Sequence, residues 1–456
     1  MKNSDKSIRI AVVGAGASGL SMAYALKNQG FENVVVFEKR KRVGGKVFSI
    51  IEEKTGHTME LGAVWVPFAY KTIRMLIDEF KIEMVDAPEV EIADLSARAN
   101  TRGFQKSLYL AYRRNRDKIK KYDVSKPGIS IREYPELANS FHDFVQENGL
   151  HEIARAFLPL DTGCGYGFTE EVPAIYKMKF LSLVLEDIEL RLQGRSRNED
   201  THVKFIKKGY QEIWKKVASE QDVRLETSVS RISYGEIDGK PGVTLVLRDE
   251  RNGSLHEETF DRVMISSCGD GLTDVLDETS FSLEKQLFSH VETYPYYVSI
   301  FKATGLDAKK LESILLHENA TNKKAGHPTI IAAPCPELDG NIYMQWTVAK
   351  HEQSDEEVAE KLKQDVARLG GKFENTILIK RWANYFPHVK KAALVDIDGN
   401  GGFYEQIESL QGIKGLYYAG GLMGFETVEQ TSTFAMHLVR EHFPVHQARS
   451  LKAASA

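Results

Sequence analysis

The chain has 456 residues, more than one hydrophobic core ordinarily supports, so two interleaved domains are expected. With 42% hydrophobic and 27% charged residues and a formal net charge of −4, it has the composition of an ordinary globular protein. It lacks the basic excess a nucleic-acid surface needs, and no stretch approaches the roughly 18 apolar residues of a membrane span.

The polar residues 1–7 lead directly into an apolar, β-branched run at Ile8, Ile10, Val12 and Val13, so no apolar leader is expected. After this strand come Gly14, Gly16 and Gly19 in G-x-G-x-x-G spacing, a helical pattern over residues 20–29, a second strand at Val34–Phe37, and then Glu38. Strand, turn, helix, strand and acid in this order form a mould for an adenosine diphosphate. Gly14 permits the sharp turn, Gly16 lets backbone N–H groups approach a pyrophosphate, and Gly19 lets helix and strand pack closely. Glu38 is placed to accept hydrogen bonds from ribose hydroxyls. Ser18, inside the turn, and Lys39, after the acid, complete the expected binding residues of this segment.

Next in the chain are Arg42, Gly44, Gly45, Lys46 and Ser49, followed by Glu60, Leu61, Gly62, Ala63, Val64 and Trp65. These residues resemble the second fingerprint of the flavin amine oxidase superfamily. The resemblance implies FAD, with Arg42 near the pyrophosphate and Gly44, Gly45 and Lys46 lining the way to the flavin. It also places Gly62, Ala63 and Val64 among the cofactor-binding residues. No attachment cysteine lies near these segments, so the FAD is expected to be non-covalent.

Helical periodicity then predicts helices over residues 70–80, 105–122, 129–148, 151–158 and 172–193, with a polar loop over 194–202. Residues 209–218 read as a helix and 223–232 as a strand. In the resembling family the valine matching Val229 holds the adenine edge through its backbone. Strands are expected at 243–248 and 260–266 with a hairpin turn at Asn252-Gly253, and further strands at 296–302, 328–333, 341–348 and 376–382, with a helix over 356–369. A buried strand at 415–419 ends in Gly420 and Gly421, and a helix that begins at Glu426 or Thr427 runs to about residue 441. In the resembling family such a strand presents its end to the flavin ribityl chain and the start of that helix faces the flavin, which implies Gly420, Gly421, Thr427 and Val428 as cofactor-binding residues. The family usually has an acid where this chain has Gly421, and that acid binds a ribityl hydroxyl. The tail after Phe443 is expected to fray.

The expected fold class is therefore α/β. A Rossmann-type FAD-binding domain, discontinuous over residues 1–90, 203–285 and 395–445, carries a mixed α+β substrate domain over 91–202 and 286–394, as in amine oxidases. Cys164, Cys268 and Cys335 are odd in number and form no metal pattern, which predicts reduced thiols, a cytoplasmic protein and no metal site.

Two stretches narrow the chemistry. Residues 158–168 contain Gly163, Gly165, Tyr166, Gly167 and Phe168, and residues 381–389 contain Trp382, Tyr385, Phe386, Pro387 and His388. Together they resemble the flavin-dependent polyenoic fatty acid isomerases of the same superfamily. That likeness implies a redox-neutral reaction on an apolar, unsaturated small molecule. A hydride leaves the methylene between two double bonds for flavin N5 and returns at another carbon. Such a site calls for apolar, aromatic walls that exclude water and face a delocalised cation. Tyr166, Phe168, Tyr176, Tyr296, Tyr297, Trp346 and Tyr385 are the candidates, and Tyr166, Phe168, Tyr296 and Tyr385 are taken as catalytic. The alternatives are an amine or amino acid oxidase, whose amine-oxidising members carry a lysine near N5 where this chain has Tyr296 and Tyr297, and a flavin-binding protein without turnover. His388 is a further candidate base, weighed against a simple loop hydrogen bond.

Overall fold

The computed structural model describes residues 5–52, 56–86, 92–94, 99–100, 104–196, 203–237, 239–267, 269, 271–306, 313–333 and 341–444. Cys268, Cys335, most of the expected 194–202 loop and the tail from 445 lie outside them.

A five-stranded parallel sheet organises the cofactor side, in the order Leu416–Tyr418, Arg262–Ile265, Ile10–Val13, Val34–Phe37, Asp222–Arg224. Ile10, Ala11 and Val12 lie in its centre with no solvent exposure, which explains an unbroken apolar run rather than an alternating one. Because the strands are parallel, Gly14, Glu38, Ser266 and Ala419 emerge from the same edge, where open α/β sheets bind ligands. The helices Ala17–Asn28 and Val428–His442 pack against each other beside it. A three-stranded antiparallel sheet, Thr227–Ile237, Lys240–Asp249 and Leu255–Phe260, turns at Asn252 and Gly253 as expected.

A seven-stranded sheet makes the other large layer, in the order Lys372–Val389, Val291–Thr304, Ile342–Val348, Ile330–Ala332, Ser313–Leu315, Ile92–Asp94, Ala99–Asn100. Its two long strands exceed the expected 376–382 and 296–302 because register shifts between them let the ladder continue past each irregularity. The short strands Ile92–Asp94, Ala99–Asn100 and Ser313–Leu315 carry too few residues for a period-2 pattern and were not anticipated.

Several helices differ from expectation for local reasons. Residues 129–148 form a 3-10 turn at Pro135–Ala138 and a separate helix at Phe141–Asn148, whose cap Ser140 accepts from the Asp143 N–H at 3.1 Å. Proline favours the start of a turn over a helix interior, which divides the segment at 135. The helix begun at His151 continues through Pro159 to Gly163, and that begun at Ala174 reaches Ser196, into the expected loop. Among the described residues no helix is long and apolar enough to cross a membrane.

Candidate active site

Two glycine turns meet at the carboxyl edge of the parallel sheet. Gly14, at φ +98°, turns the chain sharply, and its N–H donates to the Phe37 carbonyl at 2.7 Å. A Cβ on Gly19 would lie 1.9 Å from the Gly14 carbonyl oxygen, so this helix start cannot accept any side chain there. A Cβ on Gly16 would meet only the Gly45 Cα, at 3.7 Å, so packing within the protein does not demand a glycine there. The second turn is laced to the first, since the Gly44 N–H donates to the Ala15 carbonyl at 2.8 Å.

Side chains hold this backbone cradle in shape. Buried Glu38 accepts from the N–H groups of Ala15 and Arg40, both at 2.9 Å, which fixes its carboxylate at the end of the strand. Arg42 donates to the carbonyls of Gly45 at 2.9 Å and of Val43 and Val47 at 3.2 Å, and lies over the Phe48 ring, so it shapes its own loop. Gln211, which the sequence did not single out, closes that loop through the Val43 carbonyl at 2.7 Å. Glu60, its pKa raised by burial to about 7, accepts from Ser49 Oγ at 2.6 Å and the Tyr210 N–H at 2.7 Å. Gly62 packs against the Lys46 carbonyl, 2.1 Å from where its Cβ would be, with Ala63 and Val64 half-buried beyond it.

Val229 follows a strand start tied to Glu38 by the Thr227 N–H at 2.9 Å, and a bulge between Val229 and Arg231 interrupts the ladder there. Such a bulge leaves backbone groups unpaired and available. Gly420, at φ +98°, and Gly421 follow the strand Leu416–Tyr418, and Thr427 caps the helix that Val428 opens by accepting from the Gln430 N–H at 3.2 Å. Lys39 lies exposed just beyond the strand. The cradle fits a dinucleotide. The buried Ser18 Oγ and Glu426 Oε2 have no protein partner, and such polar atoms are normally satisfied.

An aromatic wall stands beside the second turn. Gly165, at φ +89°, approaches so closely that a Cβ would lie 2.6 Å from the Tyr385 ring and 2.9 Å from the Tyr296 ring. Tyr296 and Tyr385 stack with centroids 4.6 Å apart, and Tyr166 lies 6.5 Å from Tyr385 at 12°. Phe180, Phe386 and Phe425 surround Tyr166 at 4.8, 5.2 and 4.9 Å. Phe168 is buried with Tyr296, Val298 and Trp382 in the adjoining cluster, to whose edge Trp346 packs. Burial holds the phenols of Tyr166, Tyr296 and Tyr385 well above the ordinary tyrosine range, so they stay protonated. Lys46 links cradle to wall, its Nζ 5.0 Å from the Tyr385 ring centroid and 2.7 Å from Glu426 Oε1.

Two wall candidates belong elsewhere. The Tyr176 hydroxyl bonds the Tyr404 hydroxyl at 2.9 Å and accepts from the Val389 N–H at 2.8 Å, deep in the core. Tyr297 points to the opposite sheet face, donating to Asp355 Oδ1 at 2.7 Å. His388 is stacked between Tyr294 and Phe386 and bonds the Phe386 carbonyl at 2.9 Å. Burial lowers its pKa to about 4, which makes it a weak base and favours the loop hydrogen bond as its role.

Sequence reasoning missed the ion pair under the wall. Lys177 has no solvent exposure and donates to Asp161 and to the carbonyls of Tyr166 and Gly167, the latter at 3.2 Å. Lys177 and Lys179, which interrupt the apolar run 174–181, were the available signal. The Lys177 ammonium ties the glycine-rich loop to the helix Ala174–Ser196 and so sets where the Tyr166 ring stands.

A family model for flavin containing amine oxidoreductases matches residues 17–421. An L-amino-acid oxidase of Bothrops moojeni is 40% identical over 76 residues, covering 17% of this chain and 15% of that protein. The corresponding oxidase of Demansia vestigiata is 36% identical over 84 residues, covering 18% and 16%. Among solved structures, a CLA-producing fatty acid isomerase from P. acnes superposes with TM-score 0.79 at 23% identity, over 97% of this chain and 100% of that one. Putrescine oxidase bound to putrescine superposes with TM-score 0.66 at 15% identity, over 95% and 98%.

Proposed function

The chain belongs to the family of flavin-containing amine oxidoreductases, and from that premise we propose that it is an FAD enzyme that shifts double bonds in a polyunsaturated, fatty-acid-like substrate without net oxidation. We assign the cofactor to the segments 1–90, 203–285 and 395–445, and the substrate to 91–202 and 286–394. Gly14, Gly16, Ser18, Gly19 and Glu38 would hold the adenosine diphosphate. Gly44, Gly45, Lys46, Gly62, Gly420 and Gly421 would line the path to the flavin, and the helix opened by Thr427 and Val428 would face it.

FAD, when bound, supplies a two-electron acceptor that can return what it takes. In the reaction we infer, one C–H bond breaks at the methylene between two double bonds and one forms at another carbon, so no electrons leave the substrate. The chain's own task is then to orient an apolar molecule, exclude water and favour a delocalised positive charge on it. The stacked rings of Tyr166, Tyr296 and Tyr385 carry this reading, because protonated aromatic faces attract a cation and offer no base for an amine. Phe168 backs them. A fatty acid isomerase on the same fold gives the reaction class a precedent.

An amine or amino acid oxidase is the second reading, favoured by the local identity to L-amino-acid oxidases. Against it stands the strand Val291–Thr304, whose sole lysine, Lys302, lies six residues beyond Tyr296 and pairs with Ile342. An anaerobic flavin spectrum recorded against a panel of unsaturated fatty acids and amines tests the choice. The first reading expects perturbation of the spectrum by the fatty acids alone, and bleaching by an amine overturns it.

A further inference from the structure

We propose that Glu426 is a cofactor-binding residue whose carboxylate accepts a hydrogen bond from a hydroxyl of the FAD ribityl chain, in place of a side chain at position 421. This rests on FAD as the cofactor and is independent of the substrate.

Three observations converge. Glu426 has a side chain only 7% exposed, with Oε1 accepting from Lys46 Nζ at 2.7 Å and Oε2 buried without a hydrogen-bond partner. A buried carboxylate oxygen lacking a donor is unfavourable, so a ligand that brings one is expected there. Second, a Cβ built on Gly421 would lie 2.2 Å from that same Oε2 and 3.0 Å from Cδ. The Glu426 carboxylate therefore fills the volume in which a side chain at 421 would begin. Gly421 is absent from the glycines with positive φ, so its backbone does not require glycine; what occupies the space beside it is the Glu426 carboxylate. Third, Phe425 holds φ +85°, ψ +151°, a conformation nearly confined to glycine. That strained residue turns the chain so that its own ring packs on Tyr166 while the next side chain points back to the glycine end of the strand.

The chemistry selects the part of the ligand. Glu426 sits between Lys46 of the second glycine turn and Gly421 at the carboxyl edge of the sheet. A carboxylate repels phosphate and accepts only from donors. A polyhydroxylated chain running from the pyrophosphate toward the aromatic wall supplies donors of that kind.

The test compares FAD with ADP, which lacks the ribityl chain, by titrating apo-protein. E426A should bind FAD about ten- to a hundredfold more weakly, as loss of a charge-assisted hydrogen bond implies, with ADP affinity unchanged. Moving the acid, in G421D/E426A, should recover most of the FAD affinity, because removal of the Glu426 side chain frees the space for it. Unchanged FAD affinity in E426A, equal losses for FAD and ADP, or no recovery in the double variant would each overturn the assignment. If E426A fails to fold, E426Q, which preserves size, should still show a severalfold loss for FAD relative to ADP, and equal affinities would overturn it.

Discussion

At the cofactor edge the chain brings backbone to the ligand; at the wall it brings side chains. The cradle is made of glycines whose missing Cβ atoms let two turns approach each other, and most of its contacts lie within residues 14–62. The wall is assembled from Tyr166, Tyr296, Tyr385 and Phe425, which come from four separate segments and meet only in the folded protein. Local spacing therefore specifies the first and tertiary packing the second. The two should fail differently when altered.

The largest effect is expected in the cradle. Gly19→Val should abolish FAD binding and much of the fold, because even its Cβ would lie 1.9 Å from the Gly14 carbonyl. Gly16→Ala has room in the protein itself, so it should fold with a wild-type circular dichroism spectrum yet lose FAD by absorbance at the pyrophosphate approach. If both variants lost FAD with intact folds, the distinction between packing and ligand glycines would be wrong.

Next comes the ion pair beneath the wall. Lys177→Met should destabilise the protein by about 3–5 kcal/mol in denaturant unfolding, because Asp161 is left buried without its partner. The double variant Lys177→Met/Asp161→Leu should regain much of that loss, since apolar replacement of a whole buried pair is often neutral. Failure to regain it would mean that the loop carbonyls of Tyr166 and Gly167, not the charge pair, are what Lys177 stabilises.

A smaller effect follows from His388. Its folded pKa of about 4 lies below the ordinary 6.5, so folding favours the neutral ring. That contribution is fully present above pH 6.5 and is lost as pH falls through 4. Unfolding free energy should drop by roughly 3 kcal/mol over this window, and His388→Phe should flatten the dependence. An unchanged slope in the variant would place the acid sensitivity elsewhere.

The same contrast explains what the sequence made legible. Gly14, Gly16, Gly19 and Glu38 are readable because each role depends on neighbours within a few tens of residues. The parallel sheet follows from the same segments. Tyr166 was noticeable because it stands between glycines, where no helix stripe needs an aromatic. By contrast, Tyr176 on its helix and Tyr297 on its strand could be sorted from the wall only by the face each presents, and on a strand a one-residue change reverses that face. Lys177 and Asp161 are on different helices, and nothing in their spacing announces a pair. Gly421 read as a missing acid, while the carboxylate that occupies its place comes from five residues further on.

The central claim is that the wall serves an apolar substrate whose electrons are returned. The direct measurement is ultraviolet absorbance and dissolved oxygen followed together in one aerobic reaction with a polyunsaturated fatty acid, using wild type and Tyr166→Ala. Wild type should show rising conjugated-diene absorbance at constant oxygen with no peroxide, and the variant should keep its FAD but turn over at least about tenfold more slowly, a barrier change of about 1.4 kcal/mol. Stoichiometric oxygen consumption and peroxide with an amine or amino acid, and none of the absorbance change with the fatty acid, would contradict the account.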